Sequence, residues 1–250
     1  MTPLSGAADQ AGISTPAVRS PPKGRKRSLA DALADPRFRL GAGTGALLVT
    51  AIAVHRDRVG RCEAAAFRAV NGLPGWLYPP AWAVMQLGTL GASPAAAGAA
   101  WLAGDRELAG RLLAGGAGTW ALSKVFKQVV RRPRPAALLP GTRVRGPEAA
   151  GLGYLSGHAG VAVALGAAAL PHLGKTGRAI TLGVAPVVGL TRIYVGAHLP
   201  LDVAGGAALG FTVEAALALA RRPAAAPAAP AGPFGPAAAA LRPLAGQPMA

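Results

Sequence analysis

Arg192, His198 and Asp202 fall in one short stretch, Thr191-Arg-Ile-Tyr-Val-Gly-Ala-His-Leu-Pro-Leu-Asp202, between two long apolar runs. Charged groups beside such runs are costly unless they have partners, so they are functional candidates by default. Asp202 follows His198 by four residues, and Pro200 suits the first turn of a following helix. The carboxylate can then hold one imidazole nitrogen and leave the other basic and free for nucleophilic attack. An ion pair between Arg192 and Asp202 is the plainer alternative.

Two more polar islands share this character. In Lys127-Gln-Val-Val-Arg-Arg-Pro-Arg134-Pro135, an ammonium at a helix end precedes a guanidinium on a proline-stiffened loop. Together they suit phosphate oxygens, although cations snorkelling at a membrane edge would read the same way. Lys124 is a second candidate for the lysine role, but its spacing fits only Arg131-Arg132. In Leu155-Ser-Gly-His158, Ser156 stands near an N-cap position, where helix N–H groups face anions. His158 in the first turn is placed to donate a proton to a leaving oxygen; a simple serine cap with an interfacial histidine is the alternative. Asp202 is the only acid in the islands, and no carboxylate pair or Cys/His cluster suggests a metal, so metal-assisted hydrolysis is disfavoured.

Apolar runs must position these groups. They cover Leu40–Val54, Trp76–Ala103, Leu108–Val130, Ala159–Leu173, Ala179–Val195 and Val203–Ala220. Read as six membrane helices, they form an all-α polytopic bundle. Arg56–Gly75 is amphipathic, with Phe67 and Val70 on one face, and suits a short interfacial helix. Trp76, Tyr78 and Trp82 mark one membrane interface and Trp101 the other. Pro133 and Pro135 end the third run, and a long loop, 131–157, follows it; loops of this length are usually functional.

Residues 1–36, with the cluster Lys23, Arg25, Lys26 and Arg27, read as a disordered basic tail on the cytoplasmic side, and residues 1–39 contain no secretory h-region. Residues 223–250 read as a disordered Ala/Pro-rich tail, leaving 37–222 as the transmembrane domain. With a cytoplasmic N-terminus, turns 105–107 and 174–178 lie inside, and 56–75, 131–157 and 196–202 lie outside. All three islands then meet at the outer membrane face.

Composition agrees. The chain is 52% hydrophobic and 14% charged, too apolar for an ordinary soluble surface. The net charge of +16 invites a nucleic-acid reading, but the arginines sit in loops between apolar runs, so anionic headgroups are the simpler partners. The single cysteine, Cys62, allows no intrachain disulfide. His55 and His172, at helix ends, read as interfacial anchors.

The islands resemble the three signature motifs of the type 2 phosphatidic acid phosphatase (PAP2) superfamily: Lys-x6-Arg-Pro, Pro-Ser-Gly-His and Ser-Arg-x5-His-x3-Asp. Lys127 and Arg134-Pro135 match the first, Ser156-Gly157-His158 the second, and Arg192, His198 and Asp202 the third. Leu155 replaces the motif proline and Thr191 the motif serine. The resemblance implies a PAP2/haloperoxidase-like core in the cell membrane, a bacterial inner membrane with the site outside. It further implies a lipid phosphatase without a cofactor, acting on a lipid phosphomonoester or polyprenyl pyrophosphate. His198 would attack phosphorus, Asp202 would orient it and His158 would serve the leaving oxygen. Lys127, Arg134, Ser156, Gly157 and Arg192 would hold the phosphoryl group. Two alternatives are a vanadate-dependent haloperoxidase, disfavoured by the apolar runs, and a non-enzymatic lipid-binding or transport protein.

Overall fold

The computed structural model describes residues 35–55, 58–147 and 150–221; the tails expected to be disordered lie almost wholly outside these. The described chain is helical and contains no strand. In order it forms α1 (Pro36–Val54), α2 (Arg61–Asn71), α3 (Tyr78–Met85), α4 (Ala92–Leu102), α5 (Arg106–Val130), a single turn α6 (Pro135–Leu138), α7 (Gly157–Ala169), α8 (Lys175–Tyr194) and α9 (Pro200–Ala220).

Local chemistry sets the helix starts. Asp35 caps α1 by accepting from the Arg37 N–H at 2.9 Å, so Pro36, assigned above to the tail, is the first helical residue. Asp105 caps α5 through the Leu108 N–H at 2.9 Å. The run Trp76–Ala103 is not one helix. It breaks at a 3-10 turn, Gln86–Gly88, after which Thr89 is extended and its hydroxyl donates to the Gln86 carbonyl. Packing explains the break: a Cβ on Gly88 would stand 2.5 Å from the His158 carbonyl, so the chain turns where α7 presses on it.

Helix α9 is the central element and packs against α1, α5 and α7. The α7–α9 crossing is a backbone contact. A Cβ on Gly206 would lie 2.2 Å from the Ser156 carbonyl, and one on Gly210 would lie 2.3 Å from the Gly160 carbonyl. Side chains there would force the helices apart, which is the use of small residues in bundles without a strong hydrophobic drive. Helix α2 forms as expected from the amphipathic stretch. It buries Ala64 and Phe67 against Leu139, Ile193 and Leu199. Burying the phenyl ring contributes roughly 1.5–3 kcal/mol.

The bundle has two distinct ends. At one, His172 Nδ1 meets Asp105 Oδ2 at 2.8 Å, so His172 is a contact partner of Asp105 as well as a helix-end residue. The Arg221 guanidinium lies against Gly110 at the same end. The other end carries α2, loop 131–156 and the turn between α8 and α9. Large apolar side chains such as Ile52, Leu102, Val129 and Ile180 are exposed on the flanks. By length and composition, α1 and α9 could each cross a membrane.

Candidate active site

The first island sits where α5 ends. Arg131 adopts a left-handed conformation at the C-cap (φ 54°) and turns the chain into the loop. Lys127 Nζ donates to the carbonyls of Leu152, Gly153 and Leu155 at 3.1, 3.1 and 2.7 Å. Arg134 donates to the carbonyls of Gly151, Ala197 and Ala150 at 3.0, 2.8 and 2.8 Å. Both expected phosphate ligands therefore also hold loop 150–155 in place. Lys124 turns instead to the Trp120 ring, 4.9 Å from its centroid.

The second island opens α7 as its residue types predict. Ser156 is the N-cap, its Oγ accepting from the Ala159 N–H at 3.4 Å. Its own N–H donates to the Asp202 carbonyl at 2.8 Å, tying the second island to the third. Gly157 follows, packed so closely that a Cβ would lie 2.9 Å from Ser123 Oγ. His158 is half-buried, and Lys127 and Arg192 are near enough to act on its charge.

The third island is a tight turn between α8 and α9. Gly196 takes φ +77°, and a Cβ there would lie 2.5 Å from the Arg143 carbonyl, so both dihedral and space require glycine. The turn brings the N–H groups of Ala197 and His198 onto the Arg192 carbonyl. His198 is buried and Asp202 fully so. Pro200 is the first residue of α9 and Asp202 lies in that first turn. Thr191 keeps its hydroxyl but spends it on the Val188 carbonyl, at 2.7 Å.

Asp202 does not pair with Arg192. Its Oδ1 accepts from Arg132 Nη1 at 2.8 Å and its Oδ2 from the Leu199 N–H at 2.8 Å. His198 Nδ1 lies 3.8 Å from Oδ2, on the expected side but beyond hydrogen-bond length. Arg192 is buried against the Met85 sulfur, and its Nε has no acceptor among the described residues. Arg192 and Arg134 border a cleft of about 260 Å³ with Tyr78, Trp82 and Arg145. Neither His158 nor His198 lines it.

Two residues that the motifs do not specify join the site. Arg132 is completely buried and pairs with Glu63 as well as Asp202. A hint for Glu63 existed: it stands four residues before Phe67 on the apolar face of α2, where an acid needs a partner. No sequence signal distinguished Arg132 from Arg131.

Burial pushes the His198 imidazole down to about 3, with the charges of Lys127 and Arg192 adding to it and Asp202 opposing. The neutral ring is the nucleophilic form. The unfolded chain has an ordinary histidine, pKa ~6.5, and binds the proton first as pH falls. Stability from this group is therefore complete above pH ~6.5 and is lost as pH drops toward about 3. The thermal midpoint in detergent is expected to fall more steeply over that window in wild type than in His198→Gln, which cannot titrate; parallel curves would show that His198 is not held neutral.

Residues 108–224 match the PAP2 superfamily profile. That segment, a little under half of the chain, is similar to the PAP2 superfamily. It runs through α5 to α9 and contains all three islands. The decaprenylphosphoryl-5-phosphoribose phosphatases of Mycobacterium tuberculosis strains CDC 1551 / Oshkosh and ATCC 25618 / H37Rv are 38% identical over 106 residues, 41% of this chain. The chain spans 57% of the length of these curated relatives. The PAP2 fold extends beyond the matched segment. Aquifex aeolicus LpxE superposes with a TM-score of 0.57 at 23% identity, covering 63% of this chain and 94% of that one. The transmembrane PAP2 type phosphatidylglycerolphosphate phosphatase of Bacillus subtilis gives 0.55 at 21% identity, covering 71% and 92%.

Proposed function

We propose that the protein is a multi-pass membrane phosphatase that removes phosphate from a lipid phosphomonoester or pyrophosphate at the outer membrane face. One observation carries the reading. The end of α5, the start of α7 and the turn between α8 and α9 surround a buried His198–Asp202 pair with three cations. The Mycobacterium relatives support a substrate built on a polyprenyl phosphate. The exposed apolar flanks and the separation of the two ends support a bundle set across a membrane.

The chemistry follows from the groups. The bound phosphate offsets the charges of Lys127 and Arg192, so His158 takes up a proton as substrate binds. His198 Nε2 attacks phosphorus, the bond to the leaving oxygen breaks, and His158 gives that oxygen its proton. A phosphohistidine results. His158, now neutral, takes a proton from water, whose oxygen displaces His198 and releases inorganic phosphate. Lys127, Arg134 and Arg192, with the Ser156 hydroxyl and the Gly157 N–H, hold the phosphoryl oxygens as charge redistributes. Arg192 is the readiest of these, since its Nε has no acceptor among the described residues while Lys127 and Arg134 also hold loop carbonyls.

Purified protein in detergent with EDTA is expected to release inorganic phosphate from at least one of a polyprenyl pyrophosphate, a polyprenyl-linked phosphosugar and phosphatidate. The phosphosugar is expected to give the highest kcat/KM. Release from none would favour a lipid-binding or transport role, and dependence on added divalent metal would overturn the metal-free mechanism.

A further inference from the structure

Asp202 must stay ionised and correctly aimed in a fully buried position near the charges of Lys127 and Arg134. Left alone, the carboxylate would be drawn to Lys127 or Arg134. It would then neutralise a cation needed for the phosphoryl group and turn away from His198. The structure prevents this with Arg132, at an unspecified position of the first motif, and Glu63, outside the motifs.

The Arg132 guanidinium is a fork between two carboxylates. Its Nη1 donates to Asp202 Oδ1 at 2.8 Å and to Glu63 Oε1 at 3.1 Å, and its Nη2 donates to Glu63 Oε2 at 2.8 Å. Burial works to lower the guanidinium's pKa, yet Glu63 and Asp202 together raise it. Glu63 Oε1 also accepts from the Leu201 N–H at 3.1 Å. Glu63 and Asp202 thus both bind N–H groups at the start of α9, where anions are favoured. With Oδ1 taken by Arg132 and Oδ2 by Leu199, rotation of the Asp202 carboxylate is blocked. The oxygen it turns toward His198 Nδ1 is fixed.

We infer that Glu63 and Arg132 are positioning residues for the nucleophile. Glu63 on α2 holds Arg132, Arg132 holds Asp202, and Asp202 sets the His198 ring. Neither residue is placed to touch substrate. The relay leaves Lys127, Arg134 and Arg192 uncommitted to a carboxylate. It also links the amphipathic helix α2 to the reacting centre, so the docking of α2 becomes a condition of catalysis. The roles assigned to His198 and Asp202 rest on the phosphatase reading.

Two variants separate the contributions. Glu63→Gln keeps shape and most hydrogen bonds but removes the charge. Arg132→Lys keeps the charge but cannot bridge both carboxylates at once. Each is expected to lower kcat tenfold or more, with KM and inhibition by inorganic phosphate changed less than twofold. Phosphate inhibition weakened tenfold in Arg132→Lys would make Arg132 a phosphate ligand and overturn the relay. Unchanged kcat in both variants would reduce the cluster to structure and also overturn it.

A readout that needs no turnover accompanies the kinetics. In protein labelled with ¹⁵N-histidine and assigned by His-to-Gln substitution, wild-type His198 should show a neutral ring protonated at Nδ1. Glu63→Gln and Arg132→Lys should shift this signal toward mixed tautomers, while His55 and His172 stay unmoved. An unmoved His198 signal sinks the relay. A moved signal in protein that hydrolyses no substrate leaves the relay standing and sinks the phosphatase reading instead.

Discussion

His198→Ala is expected to lower kcat by about 10⁴- to 10⁶-fold, the scale at which removal of a nucleophile usually acts. The imidazole is buried, flanked by Asp202 on one nitrogen side, and set within reach of Lys127 and Arg192. No other described histidine can replace it. In the proposed mechanism His158 serves the leaving oxygen, while His55 is exposed at the end of α1 and His172 contacts Asp105. The cations assigned to phosphate in the proposed mechanism are untouched by the substitution, so inhibition by inorganic phosphate should persist. Acid-labile, base-stable phosphate should appear on wild type after rapid quenching with a radiolabelled substrate, and be absent from the variant. Full turnover by His198→Ala would end the phosphohistidine mechanism.

The largest stability effect is expected far from the site. Glu214 in α9 is almost completely buried and pairs with both Arg39 of α1 and Arg111 of α5. Arg39 also donates to the Ala167 carbonyl of α7 at 3.5 Å, so the cluster ties four helices together. Glu214→Leu would leave two guanidinium groups buried beside each other without a counter-charge. Breaking a buried pair from one side costs about 3–5 kcal/mol, because the remaining charge stays desolvated. A large drop in thermal midpoint or in folded yield is the expected result. The triple replacement Arg39→Met, Arg111→Met, Glu214→Leu should recover most of the loss, since an apolar cluster needs no counter-charge. If the triple variant is no more stable than Glu214→Leu alone, the loss came from packing and not from uncompensated charge.

Much of the local structure around the candidate site was legible because caps, helix starts and buried faces demand particular residue types at fixed chain spacings. Pro200 and Asp202 fall in the first turn of α9, Ser156 caps α7, and Phe67 faces inward from α2, each as local rules require. Longer-range relations were read less well. Trp76–Ala103 has the composition of one helix, but contact of Gly88 with the His158 carbonyl breaks it in two. Composition could not foresee this, since the cause lies on another helix. Lys127 and Arg134 read as free phosphate ligands, yet both also hold loop carbonyls, a task set only when that loop folds back.

By itself the sequence determined the islands, their order, the helical class and the placing of His198 and Asp202 one turn apart. These depend on residue type and on spacings of a few positions. Only the tertiary structure decided what balances the Asp202 charge. Arg192, ten residues away across the α8–α9 turn, was the plainer alternative partner, but Arg132, itself held by Glu63 of α2, takes that place. The reason is electrostatic. A buried carboxylate requires a buried, fully hydrogen-bonded counter-ion, and which cation can reach it is settled by packing in three dimensions, not by distance along the chain.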